Sequence, residues 1–357
     1  IRTIEDIHCN GHIFNNLLWY DFLTECGYDV TFVYTHKAET KHDILKKYKF
    51  MCLTEMLIES MDTNVDVCEK YPEMFEFDFI FCVGVVEVKY FMIAKTKGIR
   101  IVFIDLGSTY HNDIMNIVGK ECISECWPIT FDEVWISPHF AFSKEYLKIR
   151  FSTEKVFVCP YFWKDTLFES IKDKVLVDTN HLRIGIVEPN IFSKNSLVPM
   201  AICEKAEQYV DKVMLLNAYH LKENPFMKSF IIKSNLCKKQ KITLEGRIPL
   251  PLLFTQFCNC VVSCVVDCDL NYVFLECFYL GVPLIHNSPM LKDYGYYYPG
   301  LDVSKGAEQI INVTKNHDRN QYIKKHIPLL NKYSIHNPVY KTWVQEKLKG
   351  NIDFSLD

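Results

Sequence analysis

Apolar and polar residues along this chain follow two periods in alternation. Short, unbroken apolar runs recur between stretches in which apolar residues fall three or four positions apart. Residues 29–34, 77–86, 100–105 (RIVFID), 132–137 (DEVWIS), 155–159 (KVFVC), 182–187 (LRIGIV), 212–217, 241–244 and 261–266 read as strands. Residues 13–25 read as a helix, with Ile13, Leu17, Leu18 and Phe22 on one face. Helices are also expected over 42–49, 88–97, 195–210, 250–258, 308–313, 321–330 and 339–348. Strands alternating with helices imply parallel pairing in doubly wound sheets. An aromatic and then charged stretch, 160–178, separates two such groups. The expected division is a Rossmann-like domain over 1–165, a linker over 166–180, a second Rossmann-like domain over 181–335, and a terminal helix and tail over 336–357.

The segment DLNYVFLECFYLGVPLIHNS, residues 269–288, breaks the ordinary pattern. It predicts a short helix capped by Asp269 or Asn271, stopped by Gly281, and followed by a strand over 282–285. The helix is apolar on every side, which marks it as buried. Glu276 nevertheless stands in its middle, and a buried carboxylate is costly without partners. The two hydroxyls of a ribose would supply them, and the helix N-terminus upstream would suit a diphosphate. A structural Glu held by an Arg or by backbone amides fits the same residues.

Composition narrows the classes. Of 357 residues, 49% are hydrophobic and 24% charged, as in ordinary globular proteins, and a net charge of −4 provides no broad basic field for nucleic acid. The longest apolar runs fall far short of a membrane span. Fifteen cysteines contain no C-x-x-C pair. Buried free thiols in a reducing, cytoplasmic setting are therefore expected, rather than a disulfide framework or a metal site. Asn312-Val313-Thr314 is a weak glycosylation sequon. The chain begins at Ile1, so a domain excised from a longer, multidomain protein is the expectation.

The residues able to do chemistry follow expected strands, where ligands of α/β sheets bind. Lys194, in EPNIFSKN after LRIGIV, can meet a phosphate, and Asn190 and Ser193 can donate hydrogen bonds. Asn217 and His220 follow KVMLL. Arg247, after KITL, can neutralise a departing diphosphate with its planar fork. Asn287, in His286-Asn287-Ser288, can read a base or a sugar. Among possible general bases, His12 precedes the first helix beside Asn10-Gly11, His111 follows RIVFID, and His139 follows DEVWIS. Each taken singly is as consistent with a structural histidine.

Several ordered blocks carry a resemblance: NGHIFNN, GSTYH, FDEVWISPH, RIGIVEPNIFSKNSLVPM, LLNAYHLKENP, LEGRIP and LNYVFLECFYLGVPLIHNSPMLKDYGYYYPG. Of these, the EPNI and NY…LG-PL-HNS stretches are the most specific. The chain resembles an incompletely characterised family of bacterial glycosyltransferase-like proteins with the GT-B architecture. The resemblance implies two Rossmann-like domains facing a central cleft, the first presenting a glycan acceptor and the second holding the donor. It implies sugar transfer from a nucleoside-diphosphate sugar, a GDP-sugar such as GDP-fucose or a UDP-sugar. It implies no obligatory metal or other cofactor, and from charge and run lengths no nucleic-acid partner or membrane span is expected. It places Glu276 at the donor ribose, Asn271 and Tyr272 near the diphosphate, and Lys194 and Arg247 as counter-charges. Many retaining relatives carry two glutamates eight positions apart, and Cys268 stands eight before Glu276. Stereochemistry is therefore left open, with inversion and a base from the first domain (His12 or His111) as the expectation. A catalytically inactive GT-B scaffold that binds glycan or nucleotide is the alternative. A nicotinamide dehydrogenase is disfavoured, because no G-x-G-x-x-G follows any expected strand.

Overall fold

A computed structural model describes residues 11–34, 46–62, 65–83, 87–119, 130–166 and 168–350. The chain forms two compact units, Ile1–Phe162 with Ile335–Asp357, and Trp163–Ser334.

The first unit runs α1 (Gly11–Glu25), β1 (Phe32–Tyr34), β2 (Phe50–Cys52), α2 (Thr54–Glu59), α3 (Val67–Lys70), β3 (Phe79–Val83), α4 (Val88–Thr96), β4 (Arg100–Asp105), α5 (Thr109–Val118), β5 (Glu133–Ile136), α6 (Lys144–Arg150) and β6 (Val156–Val158). Strands β3 to β6 form a parallel sheet in sequential order, and β1 and β2 pair as a separate parallel ribbon. The runs RIVFID and DEVWIS are unbroken because β4 and β5 are buried along nearly their whole length. The strand β2 and the helix α2 lie where no element was expected. Of the expected helix over 42–49, residues 42–45 lie outside the described residues, and the chain is already at the start of β2 by Phe50.

The second unit runs β7 (Leu182–Ile186), α7 (Leu197–Lys205), β8 (Val210–Leu215), α8 (Pro225–Lys233), α9 (Asn235–Lys238), β9 (Ile242–Leu244), α10 (Leu250–Leu252), β10 (Cys260–Val262), α11 (Tyr272–Leu280), β11 (Leu284–His286), β12 (Tyr296–Tyr297), α12 (Val303–Asn316) and α13 (Arg319–Tyr333). The last helix, α14 (Pro338–Leu348), belongs to the first unit. There Arg100 joins it to the sheet, pairing with buried Glu133 and donating to the Leu348 carbonyl.

The six strands of the second unit are all parallel, in the order β12-β11-β10-β7-β8-β9. From β7 the chain therefore builds outward to β8 and β9, then returns to the other side of β7 for β10, β11 and β12. The order reverses between β7 and β10. Loops leaving these two strands start out in opposite directions, and the carboxyl ends of such strands are where open α/β sheets bind ligands.

Three boundaries differ from expectation for local reasons. The expected helix 195–210 ends at Lys205, because buried Val210 already opens β8. The expected helix 250–258 becomes a wide π-turn over Leu253–Phe257 closed by Cys258 N–H on the Leu253 carbonyl at 2.8 Å. Pro249 and Pro251 remove two amides from its start. The expected strand 261–266 stops at Val262, because Val265 is recruited to a different partner, described below.

Gly281 ends α11 with φ +71°. A Cβ there would lie 2.6 Å from Arg319 Cγ and 2.9 Å from Ile323. Both the left-handed backbone and the close approach of α13 require glycine. Gly281→Ala should cost about 1–3 kcal/mol of stability. Chemical denaturation checks this, and an unchanged midpoint would contradict it.

Candidate active site

The carboxyl ends of β7, β8, β10 and β11 carry a linked set of loops. Glu188 follows β7, and its Oε1 accepts a hydrogen bond from Ser263 Oγ, just past β10. That bond spans the point where the strand order reverses. Asn190 adopts φ +59° and Asn217 φ +53°, a conformation that Asn tolerates better than most residues. Asn190 Oδ1 accepts from Ser196 N and Oγ at 3.1 and 2.7 Å. Its Nδ2 donates to the carbonyls of Glu188 and Asn217. Asn217 Nδ2 donates in turn to the carbonyls of Val187 and Glu188. The two amides thus fold the 188–196 loop back on itself.

That loop is zipped to the loop after β10. Lys194 forms an antiparallel bridge with Val265, and Val266 N donates to Ser193 O at 2.8 Å. Asn287, buried after β11, holds the far side. Its Oδ1 accepts from Val265 N at 2.8 Å, and its Nδ2 donates to Val265 O and Gly300 O, both at 2.9 Å. Ser288 Oγ donates to Asp269 O at 2.7 Å. His286 is held by its Nε2 contact with Tyr294 O and by Ser288 N on its Nδ1. Burial pushes its pKa down to about 4, so the ring is neutral.

These clamps place Lys194, half-buried, beside the Cys268 thiol. They also fix the entry to α11. Asn271 is the N-cap, in extended conformation, but its side chain makes no capping bond. Of the two caps expected, Asn271 takes the position, but without using its side chain. The positive end of α11 faces the loop that carries Cys268 and Asp269 without a side-chain cap.

Glu276 is 4% exposed. Its Oε2 is buried with no hydrogen-bond partner, and desolvation alone raises its pKa to about 8. Helical side chains lean toward the N-terminus, and Glu276 lies on the same face of α11 as Val273 and Tyr272, three and four positions before it. Glu188 is 1% exposed, and burial raises its pKa to about 7 against the opposing pull of Ser263 and Lys194. Its Oε2 is also buried without a partner. Sequence reasoning named the segment opened by Glu188 but not the residue. The only available signal was a charge directly after an unbroken apolar strand.

The structure brings Asn190, Lys194, Asn217 and Asn287 into one bonded cluster, with Asn271, Tyr272 and Glu276 on the helix that follows it. His220 and Arg247 are exposed on neighbouring loops, joined through Ala218 N to Glu245 O at 2.9 Å and Asn217 N to Gly246 O at 3.2 Å. In the first unit, His111 is buried on α5 beside Tyr110 and Phe142. Nearby Asp105 accepts from Thr109 N and Oγ, and burial lifts its pKa to about 6. His139 packs on Phe140 and Tyr161. Asn10 and the side chain of His12 lie outside the described residues. Among the described residues, no group of three or more His, Cys, Asp or Glu could hold a metal ion, and no helix is long and apolar enough to cross a membrane. Twelve cysteines described are free thiols.

The chain belongs to the family described as "Protein of unknown function (DUF2827)", whose model matches residues 35–347. No curated protein matches it. Among solved structures it is similar to HepE of Anabaena in complex with UDP and glucose, at 12% identity and a TM-score of 0.60, over 97% of this chain and 98% of that one. It is similar to a glycosyltransferase of Rickettsia africae at 11% identity and a TM-score of 0.59, over 98% of each chain. It is also similar to sucrose-phosphate synthase of Thermosynechococcus elongatus at 11% identity and a TM-score of 0.55, over 95% of this chain and 94% of that one. At these identities the likeness concerns the fold, which is α/β of the GT-B class.

A carboxyl whose pKa is raised on folding binds its proton more tightly in the folded state. Between its ordinary value of 4.5 and about 8, Glu276 therefore costs the empty protein stability as pH rises. The cost reaches on the order of a few kcal/mol. Glu276→Gln should unfold later than wild type by a margin that widens from pH 5 to pH 8. Urea melts across that range check it, and a margin independent of pH would contradict it.

Proposed function

We propose that this member of the DUF2827 family is a glycosyltransferase. It moves a sugar from a nucleoside-diphosphate donor to a hydroxyl of a glycan acceptor, with the Trp163–Ser334 unit as the donor domain. One observation carries the reading: a carboxyl buried to 4% exposure, with an unpartnered oxygen, one turn inside a helix that lacks a side-chain cap. Glu276 lies five positions after Asn271, about 7.5 Å along a helix axis. That span is comparable with the distance from a ribose diol to the diphosphate of one nucleotide. The ribose hydroxyls satisfy Glu276, and the diphosphate lies at the N-terminus of α11, near Asn271 and Tyr272.

Lys194 and Arg247 then supply counter-charge. As the anomeric bond lengthens, negative charge grows on the departing diphosphate, where a helix N-terminus and fixed cations stabilise it without reorganising. Arg247, exposed on its loop, is free to follow the leaving group. Asn190, Asn217 and Asn287 serve by holding the loops, since their amides are engaged with backbone. His220 lies at the rim. The first unit presents the acceptor, and His12 or His111 takes the hydroxyl proton, with inversion at the anomeric carbon and no required metal. The fold shared with HepE, solved with UDP and glucose, makes UDP-sugars the first donors to test and GDP-sugars the second.

Two measurements test the donor reading. Glu276→Ala should weaken binding of UDP (or of GDP, if that is the donor nucleotide) by about 10- to 100-fold, the worth of hydrogen bonds to a charged group, while circular dichroism stays unchanged. Equal affinity in calorimetry would remove Glu276 from the site. The matching nucleoside, with no phosphate, should bind more tightly as pH rises toward 8 and level off above it. The carboxylate is the form that accepts both hydroxyls; it is half formed at the pKa of about 8 and nearly complete about one pH unit above it. A flat profile would count against a ribose at Glu276.

A further inference from the structure

Glu188 is not needed to hold ribose or phosphate in that reading, yet it occupies the most central position of the sheet. It follows β7 at the reversal of strand order, and its Oε1 is bonded across the reversal to Ser263. Among the buried side-chain oxygens without a hydrogen-bond partner, four belong to glutamates. Glu59 is ion-paired to Lys70, and Glu207 to Lys239 and Lys241. Glu188 and Glu276 have no such ion pair within the described residues. Polar atoms buried this deeply are seldom left unmatched, because each costs about 1–3 kcal/mol.

The groups facing Glu188 are few. Lys194 comes from its own loop and, with the Ser263 hydroxyl and the backbone amide of Cys264, lowers its proton affinity. Cys264 and Cys268 come from the loop after β10, with Asp269 beyond Cys268. Tyr298, after β12, donates its hydroxyl to the carbonyl of Ser263. Lys194 is the one cation among them. A diphosphate seated on Lys194 would cancel that cation and add negative charge beside a buried carboxyl whose Oε2 has no partner. Both changes favour a neutral carboxyl.

We propose that Glu188 is a positioning residue: it balances the charge of Lys194 in the empty site, and seating a donor diphosphate on Lys194 draws a proton from solvent onto the Glu188 carboxyl. The inference rests on the diphosphate reading above. Its chemical meaning is that the clamp between the 188–196 and 263–268 loops carries a carboxylate and an ammonium when empty. When loaded it carries a neutral carboxyl and an ammonium paired to phosphate. The buried floor thus never holds two adjacent anions.

The probe is UDP-glucose, with GDP-mannose as the second. Both phosphates of such a donor are esterified, so the ligand itself does not titrate near neutrality. Calorimetry in two buffers of different ionisation enthalpy, at pH 7.5, counts protons exchanged on binding. Glu276 releases protons as it takes the ribose, so the informative quantity is the difference between wild type and Glu188→Gln. Wild type should take up at least about half a proton more than the variant, which keeps the bond to Ser263 and still binds. Equal proton counts in two proteins that both bind would overturn the inference and leave the donor reading intact. Should Glu188→Gln fail to fold, Ser263→Ala serves. Removing that hydrogen bond raises the proton affinity of Glu188, so the pH of greatest uptake should move upward, and an unmoved profile would overturn the inference. Binding of neither donor by wild type would overturn the diphosphate reading and this inference with it.

Discussion

The reversal of strand order between β7 and β10 is the constraint from which the second unit follows. Two central parallel strands send their loops in opposite directions, and the space between must be filled or bridged. Here it is bridged by the bond from Ser263 to Glu188 and by the pairing of Lys194 with Val265. Asn287 completes it by satisfying both backbone groups of Val265. A strand continued through Val265 would have consumed those groups in the sheet and left no loop to carry Cys268, Asp269 and the start of α11. The short β10 is therefore a condition of the site, rather than an irregularity.

The same architecture explains why two carboxyls remain poorly satisfied. Evolution toward stability alone would remove Glu276, since a buried acid titrating near 8 weakens the empty fold at neutral pH. Its presence in a helix otherwise filled with Phe274, Leu275, Cys277 and Phe278 is understandable if a ligand supplies the missing partners. Strain of this sort concentrates where proteins bind or react. The surrounding amides show the opposite behaviour. The amide nitrogens of Asn190, Asn217 and Asn287 all donate to backbone carbonyls, so the cluster divides into groups that hold the loops and groups that await a ligand.

Much of the fold was legible because its strands are buried on both faces and read as unbroken apolar runs. Strands β4, β7 and β11 and helices α4, α13 and α14 lie close to where periodicity places them. The failures have physical causes. Strand β2 is only half-buried and directly follows the polar stretch read as a helix over 42–49, so it does not stand out as a strand of its own. Helix α8 carried a readable start, Asn224 followed by Pro225, whose side-chain cap on Met227 N is present at 3.1 Å. Its mixed apolar and lysine content hid the rest. The π-turn over Leu253–Phe257 has no sequence period of its own. In the site, Glu276 stood out because a charge in an all-apolar helix is conspicuous. Glu188 did not, because a charge just after a strand is commonplace. Only the strand order, which no local pattern encodes, makes that position central.

The central claim is that Glu276 and the start of α11 hold one nucleoside diphosphate. A crystal structure of the protein with UDP, or with GDP if that nucleotide binds more tightly, tests it most directly. The account predicts the ribose hydroxyls within hydrogen-bond distance of the Glu276 carboxyl, and the diphosphate at the amides of Tyr272 and Val273 with Lys194 alongside. A nucleotide bound elsewhere, or one in place with Glu276 still unpartnered, would contradict it.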